Sequence, residues 1–244
     1  MSGTVAIVVV SYARPRMLAE CLASIGDCDQ VIVADDGSLF DVEAVATRFD
    51  LPNLSFVFGP KRSPAERMVT PSCGRLLNAA LREVRTDYVL PALCDDDLSA
   101  PDFPRAAAAA LDADSSLHMV AGRWGLFEDG TEPDPSILLP ITFYIPVTAG
   151  NWVHRMSCTL TEGCWWNETS QAVHDGPFAW NYMKLHGTQV RGGKVSRTGW
   201  LGQLDVLAGY RREHAKTVSN NSLFGGDRYL PRTEAMFATP GGME

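Results

Sequence analysis

The sequence predicts an α/β fold built on a doubly wound, mostly parallel sheet, and three observations predict it. Short apolar runs at residues 5–10, 31–34 and 88–93 lack polar alternation, as strands buried on both faces do. Between them lie segments whose apolar residues recur at helical spacing, so that strand and helix alternate as in βαβ units. Polar clusters stand directly after predicted strands: Ser11-Tyr12, Asp35-Asp36 and Asp95-Asp96-Asp97. Open parallel sheets hold their ligands at that end of the strands.

Taken in order, residues 5–10 read as the first strand, and Pro15 opens a helix whose apolar face is Met17, Leu18, Cys21, Leu22 and Ile25. A second strand covers 31–34 and ends in Asp35-Asp36-Gly37-Ser38. Residues 42–49 fit a short helix, 54–58 a third strand and 76–84 a helix leading into the strand at 88–93. The alanine run at 106–110 gives 102–112 high helix propensity. Beyond residue 118 a strand is expected over 118–127 and a turn at Glu128-Asp129-Gly130, whereas 133–148 is punctuated by proline and 199–244 reads as irregular. The six tryptophans all lie in this second half, either filling the core or offering flat apolar surface to an acceptor.

Composition narrows the class. A chain of 244 residues that is 45% hydrophobic can bury the core of one large domain. We expect a first half over 1–117, a second over 118–215 and an irregular tail over 216–244. A net charge of −8 argues against a surface that neutralises nucleic-acid phosphates. The run at 4–10 has no basic segment before it and no small-residue cleavage site, and no apolar stretch is long enough to span a bilayer, so a cytoplasmic protein is expected. Six cysteines without CxxC spacing read as reduced thiols, and Cys94 as a small buried filler.

The Asp95-Asp96-Asp97 triplet carries the chemistry. Three adjacent carboxylates repel one another and call for a cation, and hard ions such as Mg²⁺ or Mn²⁺ bridge carboxylates to substrate phosphates. The alternative is a solvated loop capping the helix that starts near Pro101-Asp102. Neither GxGxxG nor GxxxxGK[ST] follows the first strand, which speaks against a dinucleotide site and a P-loop.

Together these segments resemble the family 2 glycosyltransferases of the GT-A fold, a Rossmann-like nucleotide-binding architecture with an acceptor-side C-terminal half. The resemblance rests on residues 7–12 with Arg14-Pro15 and Leu18-x-x-Cys21-Leu22-x-Ser24-Ile25, on residues 30–38 against "I-V-x-D-D-G-S", on Asn78 ten residues before Tyr88, and on residues 93–101 against "L-D-x-D-D-x-x-x-P". It implies a hexosyltransferase-like enzyme that consumes a nucleotide-sugar, UDP-linked above all, with Mn²⁺ or Mg²⁺. The acceptor would be a glycan, protein or small molecule, a nucleic acid being less expected.

Residue by residue, the resemblance implies that Ser11, Tyr12 and Arg14 line the donor site, Tyr12 stacking on the base, and that Asp35 or Asp36 accepts from base or ribose. It implies Asn78 in the donor site, Asp95 on the ribose, and Asp96 and Asp97 at the metal. Cys94 stands where many relatives have the first Asp of DxD, and Leu77 where they often have Arg, so Arg75, Arg67 or Arg62 would supply the cation near the diphosphate. His174-Asp175, followed by Trp180, Lys184 and Gly187, resembles "E-D-x-x-x-W-x-x-R-x-x-x-G", one residue longer, which implies Asp175, or else His174, as the general base. Residues 210–220 resemble "Y-R-x-H-x-x-x-x-S", which implies His214 at the metal or diphosphate. Rival readings are a sugar-phosphate nucleotidyltransferase, which would want a glycine-rich basic loop after the first strand, and a degenerate donor-binding module.

Overall fold

The computed structural model describes residues 3–62, 66, 73–136, 138–139, 149–161, 163–166, 168, 190–191, 194–195 and 201–213. Its first half follows the predicted alternation: β1 (Val5–Ser11), α1 (Pro15–Ser24), β2 (Gln30–Asp35), α2 (Val42–Ala46), β3 (Ser55–Phe58), α3 (Cys73–Glu83) and β4 (Tyr88–Cys94). A two-residue β5 (Leu98–Ser99), α4 (Phe103–Ala113) and β6 (Met119–Glu128) follow. Then come β7 (Leu138–Leu139), a 3₁₀ turn (Ala149–Asn151), β8 (Trp152–Arg155), α5 (Met156–Leu160), the β9–β10 pair (Val190–Arg191 and Lys194–Val195) and β11 (Leu201–Glu213). Helix α2 is shorter than expected because its end tightens: Arg48 N–H reaches the Val45 carbonyl and Phe49 N–H the Ala46 carbonyl.

The main sheet runs β3-β2-β1-β4-β8-β6-β11-β5, with β7 on β6. β3, β2, β1 and β4 pair in parallel, β8 is antiparallel to both β4 and β6, and β11 runs parallel to β6 and antiparallel to β5. Alternate residues of β1 serve opposite faces. Val5, Ile7 and Val9 pack with Leu18 and Leu22 of α1 and with Phe103, Ala107 and Leu111 of α4, whereas Ala6 and Val8 pack with Leu76, Leu77, Ala80 and Leu81 of α3. Each fully buried leucine contributes about 2 kcal/mol by area removed from water. Helices therefore cover both faces, as the fold class predicts. Of the tryptophans, Trp124, Trp152 and Trp166 are core residues, Trp165 is half-buried with Arg82 over its ring, and Trp180 and Trp200 lie outside the described residues.

One expectation fails in the second half. Residues 201–213, read as irregular, form the 13-residue strand β11. Gly202 and Gly209 within this strand are close-packing positions. A Cβ on Gly209 would lie 2.3 Å from the Leu98 carbonyl and 2.8 Å from Trp124 Cζ3, and one on Gly202 3.0 Å from Leu117. Among the described residues no helix is long and apolar enough to cross a membrane.

Candidate active site

The chain leaves β1 toward β2 on one side and meets β4 on the other, so a crevice opens at the carboxyl ends of β1 and β4. The loops there are tied across the strands. Asp36 N–H donates to the Ser11 carbonyl and Asp95 N–H to the Val10 carbonyl, each at 2.9 Å. Tyr12 N–H donates to Asp95 Oδ2 at 2.8 Å, and Ala13 N–H to Ser38 Oγ at 2.8 Å. Ala13 takes φ +56°, a left-handed conformation costly for a residue with a Cβ. Ser11 is fully buried, and its hydroxyl has no hydrogen-bond partner among the described residues.

Of the first acidic pair, Asp35 is used by its own turn. Its carboxylate accepts from Gly37 N–H at 3.0 Å, Ser38 N–H at 2.7 Å and Ser38 Oγ at 2.5 Å. Gly37, at φ +81°, permits that turn. Asp36 is nearly buried and sits against Gly59, where an added Cβ would come within 3.1 Å of its Oδ1.

The triplet is not a solvated cap. Asp95, Asp96 and Asp97 are 2%, 9% and 4% exposed, and Asp102 at the start of α4 makes no side-chain capping bond. Burial pushes Asp95 up to about 7, with Arg14 opposing and Asp96 adding to the shift. Burial likewise holds Asp97 well above the usual carboxylate range, and the neighbouring Asp96 adds to this. Cys94 corrects the sequence reading: it is exposed at the end of β4, not a buried filler. Because side chains alternate along a strand, its thiol faces away from the core that Leu93 enters. The Cys94 thiol and the Asp96 and Asp97 carboxylates lie within 4.8 Å of one another; the two carboxylates suit a hard divalent cation, whereas the soft thiol does not.

Two arginines answer this negative charge. Arg14 donates from Nη1 to Asp96 Oδ2, with the same nitrogen 3.5 Å from Asp95 Oδ1. Arg212 enters from β11, which the β5 pairing (Gly209 with Ser99, Tyr210 with Leu98) brings beneath the triplet. Its Nε donates to the Asp96 carbonyl at 3.2 Å and its backbone N–H to the Asp97 carboxylate. Its other nitrogens bond Asp129 Oδ1 at 2.7 Å and Glu20 Oε2, and its guanidinium lies 4.7 Å over the Phe127 ring. Arg212 was missed as a site residue because the strand that delivers it was read as loop.

No protein-family model matches the chain, and among curated proteins none matches it. Solved structures do. The S. aureus TarS fragment 1–349 in complex with UDP-GlcNAc aligns over 99% of this chain at TM-score 0.66 and 14% identity. Glucosyl-3-phosphoglycerate synthase from Mycobacterium tuberculosis, in complex with Mn²⁺, UDP and glucosyl-3-phosphoglycerate, aligns over 98% at TM-score 0.56 and 16% identity. A mannosyltransferase from Pyrobaculum calidifontis, in complex with GDP-Man and Mn²⁺, aligns over the whole chain at TM-score 0.58 and 17% identity. The chain has the GT-A fold. It spans 68% of the TarS fragment, 82% of the synthase and 66% of the mannosyltransferase.

Within this GT-A chain the remaining candidates divide. Asn78, on α3, bonds residues that follow α5 in the chain. Its Nδ2 donates to the Trp166 carbonyl at 3.0 Å and to Glu168 Oε1 at 2.8 Å, and its Oδ1 accepts from Trp166 N–H at 2.8 Å. It is buried and ties α3 to Trp166 and Glu168. Arg75, expected near the diphosphate, is well exposed and 3.9 Å from Glu168. Arg62 has a buried Nη1 with no hydrogen-bond partner among the described residues. Arg67, His174, Asp175, Trp180, Lys184, Gly187 and His214 lie outside the described residues.

Proposed function

We propose that this chain is a metal-dependent, inverting family 2 glycosyltransferase that moves a sugar from a nucleotide-sugar, UDP-linked above all, to an acceptor hydroxyl in the cytoplasm. The observation that carries the reading is the buried Asp95-Asp96-Asp97 triplet at the crevice beside β1, with Tyr12 and Arg14 bonded to it. The neighbours bound to UDP-GlcNAc, to UDP with Mn²⁺ and to GDP-Man with Mn²⁺ support it. In this reading residues 1–117 hold the donor and 118–215 the acceptor, within one domain, ahead of a tail over 216–244.

Tyr12 lies against the base, and Asp36 accepts from base or ribose while Asp35 holds the loop. Asp95 contacts the ribose, and Ser11 and Arg14 complete the donor site, with Arg75 or Arg62 toward the diphosphate. Asp96 and Asp97, with His214, would hold Mn²⁺ or Mg²⁺. Such an ion stabilises the charge that grows on the departing diphosphate. Asp175, or His174, takes the proton from the acceptor hydroxyl as its oxygen attacks the anomeric carbon. The new C–O bond forms on the face opposite the bond that breaks, and the nucleoside diphosphate leaves.

The test is release of nucleoside diphosphate from a panel of UDP- and GDP-sugars by the purified chain with Mn²⁺. One donor turned over in a metal-dependent way, and lost in Asp96→Asn, is expected. No turnover of any donor, with either transfer or slow hydrolysis as the readout, would reduce the reading to a donor-binding module.

A further inference from the structure

Arg14 bonds the carboxylate that a divalent cation would need. Its guanidinium donates to Asp96 and lies 3.5 Å from Asp95, and Asp96 is one of the three groups whose ligand atoms cluster within 4.8 Å. The two arginines at the triplet differ in what they can do. The Arg212 side chain is 3% exposed and held by Glu20, Asp129, the Asp96 carbonyl and the Phe127 ring. The Arg14 side chain is 26% exposed and forms ion pairs with Asp95 and Asp96. Arg14 also follows Ala13, whose left-handed backbone is held by Ser38 Oγ and flanked by the Tyr12 bond to Asp95. The strained residue is the natural pivot for a loop that carries Arg14 between two positions.

We infer that Arg14 is a displaceable counter-ion: it neutralises Asp95 and Asp96 when the site lacks ligand, and it yields Asp96 to the divalent cation by moving onto the diphosphate of the donor. This rests on the glycosyltransferase reading. Two cations on one carboxylate repel each other, so the ion alone must compete with Arg14. A nucleoside diphosphate changes that balance, because a guanidinium fork pairs with phosphate oxygens as well as it pairs with a carboxylate. Metal and nucleotide therefore bind together, each raising the affinity of the other, and the resting site takes up little free metal. Arg14 is in this sense a positioning residue that makes metal capture conditional on the donor.

The test is direct Mn²⁺ binding, read from loss of the free-ion electron paramagnetic resonance signal, with and without UDP, for wild type, Arg14→Gln and Arg14→Lys. For the wild type, UDP is expected to tighten Mn²⁺ binding by about tenfold or more, within the usual range of site–site coupling. Arg14→Gln is expected to bind Mn²⁺ alone about tenfold more tightly than wild type and to gain little from UDP, its coupling having been removed. Arg14→Lys, a charge without a fork, falls between them, and it carries the test should Arg14→Gln fail to fold by circular dichroism. If wild type binds Mn²⁺ with UDP but neither variant gains affinity for Mn²⁺ alone, the counter-ion role is overturned and the metal site stands. If no protein binds Mn²⁺ with or without UDP, the glycosyltransferase reading fails and this inference fails with it.

Discussion

Asn78→Ala separates the role that the structure gives this residue from the one that its place in the sequence implies. The side chain makes three hydrogen bonds, two to the backbone of Trp166 and one to Glu168. Glu168 is half-buried at the surface, so losing that bond costs little. Trp166 is 2% exposed, and truncation removes the Asn78 partner of its N–H and of its carbonyl. A buried group left without its partner costs about 1–3 kcal/mol, so the two together come to about 3 kcal/mol. In a chain of this length that lowers Tm by roughly 6–12 °C. Thermal melts of wild type, Asn78→Ala and Asn78→Asp provide the measurement. Asn78→Asp keeps the acceptor for Trp166 N–H but loses both donors and sets a carboxylate beside Glu168, so it should rescue little. UDP affinity with Mn²⁺, taken where all three proteins are folded, should change by less than about threefold, which is under 0.7 kcal/mol. A melt shifted by less than about 2 °C, which is under 1 kcal/mol, together with a large loss of UDP affinity, would refute this structural role and place Asn78 in the donor site.

Gly209→Ala forces a Cβ to within 2.3 Å of the Leu98 carbonyl and 2.8 Å of Trp124. Because the obstacle is backbone, an overpacking cost of about 2–3 kcal/mol is expected, a Tm loss of roughly 4–12 °C, and an unchanged melt would show that β11 and β5 are not in contact there. His154 on β8 is fully buried with Nε2 3.1 Å from Thr159 Oγ1, and burial holds it down at about 3. The unfolded chain takes up a proton below about 6.5 that the folded chain refuses, so this contribution is complete above that pH and is lost as pH falls toward 3, by about 2 kcal/mol at pH 5. Asp95 works in the opposite sense, its contribution falling as pH rises from about 4 to about 7, but it is common to both proteins compared. Chemical denaturation at pH 5 and pH 7.5 should therefore show a smaller loss on acidification for His154→Gln than for wild type. Equal losses would mean that His154 is not buried in its neutral form.

Most of the first half was legible because its signals are local. Residues 5–10 have no polar interruption, Pro15 marks a helix start, and Asp35-Asp36-Gly37-Ser38 marks a tight turn. The position of the triplet was legible for the same reason, since a strand that ends in carboxylates delivers them to the end of a parallel sheet. What failed depends on contacts between distant residues. The glycines of β11 are explained by Trp124, Leu98 and Leu117, none of which adjoins them in sequence. Arg212 reaches Glu20, Asp129 and the Asp96 carbonyl across separations that no local pattern encodes. The bonds of Asn78 to Trp166, 88 residues on, are likewise invisible in its spacing from Tyr88. Cys94 was taken for a filler by residue type, whereas its exposure follows from its register at the end of β4.

The central claim is that the triplet beside β1 binds a nucleotide together with a divalent cation. The most direct measurement is a thermal-shift panel of UDP, GDP, TDP and CMP, each with Mn²⁺ or with chelator, on wild type and Asp96→Ala. A nucleotide at about 100 times its Kd adds about 2.7 kcal/mol of stability, which here raises Tm by roughly 5–10 °C. The account predicts that UDP gives this shift with Mn²⁺ only, and that Asp96→Ala abolishes it. Absence of a shift with every nucleotide, or a UDP shift that survives both chelator and Asp96→Ala, would contradict it.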